Sequence, residues 1–343
     1  MLVAGLVLAG LALWLMRAPD ATPDAGPQRI VFATDWKAQA EHGGFYQAVA
    51  KGFYAKRGLQ VVILPGGPGI NVPQLLATGA ADFGIGSNSF IPLRIVEAGV
   101  PVRAVMAVFQ KDPQVLITHP RPDITSIADM KGKPIMIADA TVGAFWVWLK
   151  AKYGFTDAQI RKYTYNLAPF LVDEEAIQQG YVTSEPYLIE QALGRPPQVF
   201  LLADHGYPGY ATMVLVPETW IADRPDIVQA FVDSTIEGWH DYMYGDPAAA
   251  DALILADNPE ITADVLAQAR AKMRAHQLLT ARDAQTLGIG SMTQERWRQF
   301  FTVMADSGVY APSLAWQDAF TTAFVNNRAA ALELARTPAA ADE

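Results

Sequence analysis

Residues 35–46, with the sequence DWKAQAEHGGFY, follow a strand-like run from Arg29 to Thr34. Apolar residues from Phe45 to Phe53 then recur at helical spacing. This order predicts a strand, a polar loop and a helix. Because the loop carries two carboxylates, an indole and an imidazole, it suits recognition of a planar polar molecule.

The same order of strand, loop and helix repeats along the first hundred residues. Val61 to Leu64 and Asp82 to Gly86 are predicted strands, each followed by turn residues and a helical pattern. Such repetition is typical of a largely parallel sheet. The loops at 35–44, 66–71 and 87–89 would then share the carboxyl edge of the sheet, where open α/β sheets bind ligands.

A second strand and helix unit follows. Two strand-like runs are predicted to connect the first unit to the second, and two more are predicted to connect the second unit back to the first. The outward runs are Val102 to Phe109 and Gln114 to Thr118; the return runs are Val199 to Ala203 and Ala211 to Val216. Between them the patterns predict strands at Pro134 to Ala138 and Tyr181 to Thr183, and a helix from Val142 to Tyr153. The predicted C-terminal helices are 225–244, 261–276, 293–307 and 314–327. We expect an α/β protein of two lobes, with lobe 1 comprising 28–112 and 214–336 and lobe 2 comprising 113–213.

Composition excludes several classes of function. The chain has 26 basic and 35 acidic side chains, a formal charge of −9, and no basic run, which argues against nucleic acid as a partner. It has no cysteine, so disulfides, thiolate metal sites and cysteine nucleophiles are excluded. We expect no metal and no cofactor.

The two termini differ from the body of the chain. Met1 to Met16 is an unbroken run of apolar residues and glycine, and Arg17 is the first charge after it. This predicts an export signal, with an uncleaved membrane tether as the alternative. The proline-containing segment 18–28 is predicted to be an extended linker, so that residues 1–27 stand apart from the folded body. Residues 337–343 are predicted to be disordered.

Several motifs resemble those of a known group of proteins. They are Thr34-Asp35-Trp36, Glu41 to Ala48, Gly52-Phe53-Tyr54, Gly58-Leu59, Ala81 to Gly84, Gln179 to Tyr187 and Gly238-Trp239. Together they resemble the solute-binding proteins of ABC importers in the group named for thiamine-pyrimidine synthesis and for nitrate, taurine and sulfonate uptake. The resemblance implies the type II periplasmic-binding-protein fold, with two crossover strands and a ligand cleft between the lobes. It also implies a small-molecule ligand, a permease partner in the inner membrane and a periplasmic location; we expect a monomer.

The first predicted loop supplies three candidate ligand-binding residues. Trp36 could stack on a flat heterocycle, or pack on the first helix instead. Asp35 could accept hydrogen bonds from ring N–H or amino groups, or cap a local turn. His42 could donate to a ring carbonyl, or bond to nearby backbone.

The next two loops supply weaker candidates. Gly67 lies in a glycine-rich turn whose backbone N–H groups could bind an anion or a carbonyl oxygen, although the turn lacks the ending of a phosphate loop. Ser87 and Asn88 are predicted at the amino end of a helix. There they could contact a ligand or act as ordinary helix caps.

In the second lobe, Thr141 follows a predicted strand and could reach into the cleft. Glu185 follows another strand and precedes Pro186, which steers it away from helical geometry. Pyrimidine-binding relatives are expected to contact the ring through a Glu and a Tyr at the matching place, which implies such roles for Glu185 and Tyr187. The alternative for Glu185 is a helix cap. Residues just upstream could line the wall: Tyr165, Asn166 and Phe170.

Two acids, aromatic stacking and no arginine in these loops favour a neutral or amino-bearing heterocycle over a sulfonate or nitrate. The relatives that bind thiamine pyrimidines tend to have Asn-His-Thr-Gly where this chain has Glu41-His42-Gly43-Gly44, so purines, flavins and other rings stay open. Eukaryotic relatives make the pyrimidine from pyridoxal phosphate and a protein histidine near a cysteine-rich motif. This chain has no cysteine for that motif, which argues against an enzyme. A membrane-tethered sensory module is a minor alternative.

Overall fold

The structure of the protein is a computed structural model that describes residues 26–326. Most of the predicted leader and all of the predicted tail lie outside these residues. Within them the chain forms ten strands: β1 (Gln28–Ala33), β2 (Leu59–Leu64), β3 (Phe83–Asn88), β4 (Val102–Phe109), β5 (Gln114–Thr118), β6 (Ile135–Ile137), β7 (Ile160–Lys162), β8 (Ile177–Tyr181), β9 (Gln198–Leu201) and β10 (Ala211–Pro217).

Thirteen α-helices are described within the same residues. They are α1 (Gly43–Ala50), α2 (Val72–Ala77), α3 (Phe90–Glu97), α4 (Asp139–Val142), α5 (Phe145–Tyr153), α6 (Ala168–Val172), α7 (Glu185–Leu193), α8 (Glu218–Asp223), α9 (Pro225–Tyr244), α10 (Ala248–Asp257), α11 (Ala263–Ala275), α12 (Ala284–Leu287) and α13 (Gln294–Asp306).

The first sheet has the strand order β2-β1-β3-β10-β4. β1 pairs in parallel with β2 and β3, whereas β10 runs antiparallel to β3 and β4. The carboxyl ends of β1, β2 and β3 therefore meet at one edge. The loop that begins at Asp35 leaves the sheet at this edge, as the sequence predicts.

The second sheet has the strand order β7-β6-β8-β5-β9. β6 pairs in parallel with β7 and β8, and β5 runs antiparallel to β8 and β9. The chain leaves the first sheet after β4 and returns to it at β10. Residues 110–113 and 202–210 are therefore the two crossover segments. The lobe boundaries at 112/113 and 213/214 stay predictions.

Close helix packing explains the paired glycines of the opening motif. A Cβ atom on Gly44 would lie 2.2 Å from the Trp239 ring, and one on Gly238 would lie 2.2 Å from the Gly44 carbonyl oxygen. Because these glycines have no side chain, the backbones of α1 and α9 can pack directly against each other. Phe45 extends the contact into the core, where its ring centroid lies 4.6 Å from that of Phe32.

A buried arginine holds both crossover segments together. Arg296, on α13, is only 6% exposed. Its guanidinium donates to the carbonyl oxygens of Pro208 at 3.1 Å and Gly209 at 2.9 Å, and to the side-chain oxygen of Gln110 at 3.1 Å. It also donates to the Gln110 carbonyl and lies 3.8 Å from the centroid of the Tyr210 ring. The hinge is thus fastened from the first lobe.

Two predicted elements of the second lobe are wrong in their bounds. The strand predicted at Tyr181 to Thr183 lies earlier, as β8, and residues 182–184 form the turn after it. The helix predicted from Val142 to Tyr153 is interrupted at Gly143 and Ala144. The Arg94 guanidinium donates to the Gly143 carbonyl at this break, so a contact from the first lobe coincides with the interruption.

The helix predicted at 314–327 is also wrong. Within the described residues only Trp316–Ala319 is helical there, as a single 3-10 turn. Phe320 bridges Ala104 on the edge strand β4, and the Thr321 N–H donates to the Ala104 carbonyl at 2.9 Å. Pairing with the sheet edge has overridden the helical spacing of the apolar residues. The predicted helices at 225–244, 261–276 and 293–307 are confirmed as α9, α11 and α13 to within two residues.

In residues 26–326 no helix combines the length and apolar character required to span a lipid bilayer.

Candidate ligand-binding cleft

Two direct contacts join the carboxyl edges of the two sheets. The Trp36 ring, after β1, lies 4.7 Å from the Tyr165 ring, after β7, between centroids. The Thr183 hydroxyl, after β8, donates to the Glu41 carboxylate of the first lobe. The two edges therefore face each other across a cleft, and in this structure the lobes are in contact.

Hydrogen bonds within the first lobe fix the opening loop. The Thr34 hydroxyl donates to the Trp36 carbonyl at 2.8 Å, and the Gly66 N–H donates to the same carbonyl at 3.1 Å. A His42 ring nitrogen, Nε2, lies 3.1 Å from an Asp35 carboxylate oxygen. These bonds position the indole of Trp36 and the carboxylate of Asp35 before any ligand arrives.

His42 also has an unused polar atom. Its side chain is 2% exposed, and its Nδ1 has no hydrogen-bond partner among the described residues. A buried polar atom without a partner is destabilising, so such atoms are uncommon. The sequence left open a hydrogen bond from His42 to nearby backbone. In the structure the His42 side chain bonds to Asp35 instead.

On the second lobe Glu185 is held by its own strand. One carboxylate oxygen accepts from the Tyr181 N–H at 2.8 Å, and the other accepts from the Tyr163 hydroxyl at 3.3 Å. A Cβ atom on Gly180 would lie 3.0 Å from the Glu185 carboxylate, so the glycine leaves room for it. The expectation that Pro186 keeps Glu185 out of a helix is wrong. Glu185 begins α7, where proline at the next position is tolerated because that N–H has no helical partner.

Acidic groups dominate the electrostatics of the cleft. Burial raises the pKa of Glu41, and the hydrogen bond from Thr183 offsets part of that shift. Burial likewise raises the pKa of Glu185, and the nearby Glu41 carboxylate adds to the shift. The pKa of Tyr181 is raised well above its ordinary value by burial and by four carboxylates that surround it. These four are Asp112, Asp35, Glu41 and Glu185.

Asp112 lies in the first crossover segment, beside the cleft. Its side chain is 1% exposed, and one oxygen accepts from the Gln114 N–H at 3.0 Å. Burial raises its pKa from an ordinary value of 3.8 to about 7, although the Arg282 charge acts in the opposite direction. A carboxyl group that is half protonated near neutral pH therefore stands where cleft and hinge meet.

Tyr165 is unusual in its backbone. Its φ angle is +62°, in the left-handed region that residues other than glycine seldom adopt. Its side chain is 44% exposed, and its ring also lies 5.3 Å from that of Tyr163. The prediction that Tyr165 lines the wall stays a prediction, but the conformation does direct its ring onto Trp36. Phe170 instead packs inside the second lobe, stacked on His119 at 4.3 Å.

The remaining predicted site residues are less engaged. Ser87 and Asn88 end β3, one residue before the N-cap of α3, which is Ser89. The Asn88 side-chain oxygen accepts from the Phe90 N–H at 3.1 Å. Gly67 is half-buried, and open space surrounds the position of a Cβ atom. Its neighbour Gly66 makes the contacts with the opening loop.

Two more predicted residues lie on the second-lobe edge. The Thr141 hydroxyl has two acceptors for its one proton, the Gln179 side-chain oxygen at 2.6 Å and the Ala138 carbonyl at 2.8 Å, and this contact secures the turn after β6. Tyr187 is half-buried in the first turn of α7. Their contact with a ligand stays a prediction.

No pattern in the sequence singles out Thr183, Gln268 or Tyr163 as part of the cleft. Glu41 is predicted only as the second carboxylate of the opening loop and as a departure from the thiamine-pyrimidine pattern, not as a partner of the second lobe. Its partner Thr183 lies 142 residues away along the chain, so no local signal connects them. Among residues 26–326 no group of three or more His, Asp or Glu side chains is arranged to hold a metal ion.

Comparison with known proteins places the chain in a family. A family model described as NMT1/THI5 like matches residues 39–250, more than half of the chain. The chain belongs to this family. The resemblance found in the sequence motifs is therefore confirmed.

Curated relatives include both binding proteins and an enzyme. The riboflavin-binding protein RibY of Chloroflexus aurantiacus is 27% identical over 90% of this chain and 88% of its own length. The formylaminopyrimidine-binding protein of Halalkalibacterium halodurans is 24% identical over 75% of this chain and 79% of its own. The 4-amino-5-hydroxymethyl-2-methylpyrimidine phosphate synthase of Schizosaccharomyces pombe is 27% identical over 60% of this chain and 62% of its own.

A solved structure supports the architecture. The periplasmic aliphatic sulphonate binding protein SsuA of Escherichia coli superimposes with a TM-score of 0.65 at 14% identity, over 86% of this chain and 92% of its own. Identity this low bears on the fold alone. The predicted two-lobe periplasmic-binding-protein fold is confirmed.

Proposed function

We propose that this protein is the solute-binding component of an ABC importer and that its cleft captures a planar nitrogen heterocycle carrying amino groups. The observation that carries the proposal is the set of cleft carboxyl groups without a lysine or arginine partner among the described residues. Among the described residues, no Lys or Arg forms an ion pair with Asp35, Glu41 or Glu185. A ligand with several N–H donors satisfies such acceptors.

The acids reach the cleft from both lobes. Asp35 and Glu41 belong to the first lobe and Glu185 to the second, and the Glu41 and Glu185 charges are close enough to influence each other. Ring N–H and exocyclic amino groups are donors that can lie between them. A ligand bonded to both sides favours the closed form, because those bonds exist together only when the lobes meet.

The aromatic pair supplies the flat surfaces. Trp36 and Tyr165 approach from opposite lobes, and their rings are inclined at 51°. Stacking on an aromatic side chain contributes ~1–3 kcal/mol per ring for nucleobases, which resemble the proposed ligand in shape. Two relatives are named for the nitrogen heterocycles riboflavin and formylaminopyrimidine.

A sulfonate or nitrate ligand is the second candidate, favoured by the fold neighbour that binds aliphatic sulphonates. Oxyanions are held by arginine forks or by arrays of backbone N–H groups. The carboxyl groups around Tyr181 would repel such a ligand. The charge of the cleft therefore supports the heterocycle.

A synthase is the remaining alternative, raised by the relative from Schizosaccharomyces pombe. The sequence lacks the cysteines of the motif expected for that chemistry. The two functions differ in what remains after incubation with a ligand: a binding protein releases it unchanged. We include export to the periplasm and delivery to a membrane permease in the proposal, on the basis of the N-terminal apolar run and the family.

A thermal-shift screen of the protein from Gln28 to Glu343 tests the proposal. The compounds are pyrimidines with and without amino groups, purines, flavins, amino acids and alkanesulfonates. A ligand that binds the native state alone raises the midpoint of unfolding. We expect a rise with an amino-bearing heterocycle, recovered unchanged by mass spectrometry. A rise with sulfonates only, or a modified compound or protein, would contradict the proposal.

A further inference from the structure

Two groups of Thr183, its hydroxyl and its carbonyl, form hydrogen bonds with the first lobe. Its hydroxyl donates to the Glu41 carboxylate, and its carbonyl oxygen accepts from the Gln268 side-chain nitrogen at 2.5 Å. Thr183 lies in the turn after β8 and is fully buried, and Glu41 is 4% exposed. Both bonds join protein groups to each other.

The two partners of Thr183 share one platform. Glu41 lies in the 3-10 turn Ala40–His42, and Gln268 lies on α11, which packs against that turn. Both belong to the side of the molecule built on the first sheet. Thr183 lies in the turn after β8 and moves with the second sheet, so both bonds break when the lobes separate.

We propose that Glu41, Gln268 and Thr183 form a latch that closes part of the protein population before any ligand binds. Because the apparent dissociation constant is the intrinsic one divided by the fraction of competent protein, the two bonds to Thr183 set affinity separately from any contact with the ligand. Thr183 and Gln268 are positioning residues, and Glu41 serves both the latch and the proposed set of cleft acceptors. The proposal rests on the proposed function only where it concerns affinity; the closure itself is a property of the ligand-free protein.

Two features of the closed form oppose the latch. The side-chain oxygen of Gln268 is buried without a partner among the described residues, which disfavours the closed form. Ionised Glu41 and Glu185 also repel each other when the lobes meet. The two bonds to Thr183 favour the closed form and oppose both of these effects. Removing either bond should therefore shift the equilibrium towards the open form.

Interlobe distance in the ligand-free protein tests the proposal. Because the chain has no cysteine, Gln74→Cys on α2 and Glu190→Cys on α7 provide two unique, exposed positions for spin labels. Thr183→Val removes the hydroxyl at nearly constant volume, and Thr183→Ser retains it. Gln268→Leu removes the second bond independently.

We expect the unsubstituted labelled protein to contain a short-distance population without ligand. Thr183→Val should lower the ratio of closed to open protein about tenfold, or 1.4 kcal/mol. Thr183→Ser should restore the ratio, and Gln268→Leu should shift it in the same direction as Val. Identical distance distributions for Val and Ser, with both variants folded by circular dichroism, would overturn the latch; so would a fully open ligand-free protein before substitution.

A second readout separates the latch from ligand contact. Thr183→Val should weaken every compound that binds by the same factor, since it changes only the closed fraction. A factor that differs between compounds would assign Thr183 to the binding surface instead. Failure of the ligand screen would reject the heterocycle proposal and leave the distance result unaffected.

Discussion

In the cleft, Glu41 and Glu185 are enclosed without a basic partner among the described residues, whereas in the hinge Arg296 is enclosed by acceptors. Both regions contain buried or half-buried ionisable groups. Burial raises the pKa of both acids, and it lowers the pKa of Arg296 only to about 10, so the arginine stays charged at neutral pH. The charge in the hinge already has its partners.

This difference indicates that the hinge arginine stabilises the fold, whereas the cleft acids are available to recognise a ligand. A buried charge whose hydrogen bonds are complete stabilises one arrangement, and its removal leaves orphaned acceptors. A buried acid that has hydrogen bonds but no lysine or arginine partner keeps an uncompensated charge, which further donors from a ligand can offset. We therefore expect substitutions in the hinge to change stability and substitutions in the cleft to change affinity.

The largest effect should come from Arg296→Met. The variant leaves the carbonyl oxygens of Gln110, Pro208 and Gly209 without their donor, and each orphaned buried acceptor costs ~1–3 kcal/mol. We expect the free energy of unfolding in urea to fall by about 3 kcal/mol or more. Arg298→Met, on the exposed face of the same helix, is the control and should not change it. Equal losses in the two variants would break the distinction between hinge and surface.

A smaller effect should appear in the pH dependence of stability, at Asp112. The pKa of this group is about 7 in the folded protein and near 3.8 otherwise, so the folded state binds the proton more tightly. Its contribution to stability is complete below the ordinary pKa and is lost as the pH rises through about 7. Between pH 5 and pH 8 the free energy of unfolding of the wild-type protein should fall by roughly 2–3 kcal/mol more than that of Asp112→Asn.

Urea unfolding at the two pH values measures that difference. The other titrating groups are present in both proteins and cancel. The Asn side-chain oxygen can still accept from the Gln114 N–H, so the backbone of the crossover segment keeps its bond. Parallel pH profiles for the two proteins would show that Asp112 ionises in the folded state as it does in water.

The fold could be predicted from the sequence wherever apolar periodicity matched the final burial. The parallel strands of the first sheet and helices α9, α11 and α13 follow this pattern. β8 was placed too late because its sequence, IQQGY, puts two glutamines in a buried strand. The segment after Leu314 has helical spacing but pairs with the edge of β4, which is a tertiary contact.

The candidate site could be predicted only in part, for a related reason. Asp35 and Trp36 follow β1 closely, and Glu185 follows the turn after β8. Strands and the turns after them are visible in the sequence. The partners that cross the cleft are not, because Thr183 meets Glu41 and Tyr165 meets Trp36 through the packing of two lobes. Glu185 was expected at the right edge but for the wrong reason, since it begins a helix.

The smallest of these effects is the most direct test of the central claim, that both lobes hold the ligand. Calorimetric titration with an amino-bearing pyrimidine compares the wild-type protein with Trp36→Ala and Glu185→Ala, one from each lobe. Tyr244→Ala removes an aromatic side chain that is 45% exposed, close to the 44% of Tyr165, and serves as the control. We predict at least tenfold weaker binding, about 1.4 kcal/mol, for each cleft variant, without unfolding, and no change for the control. Unchanged affinity in both cleft variants would contradict the claim.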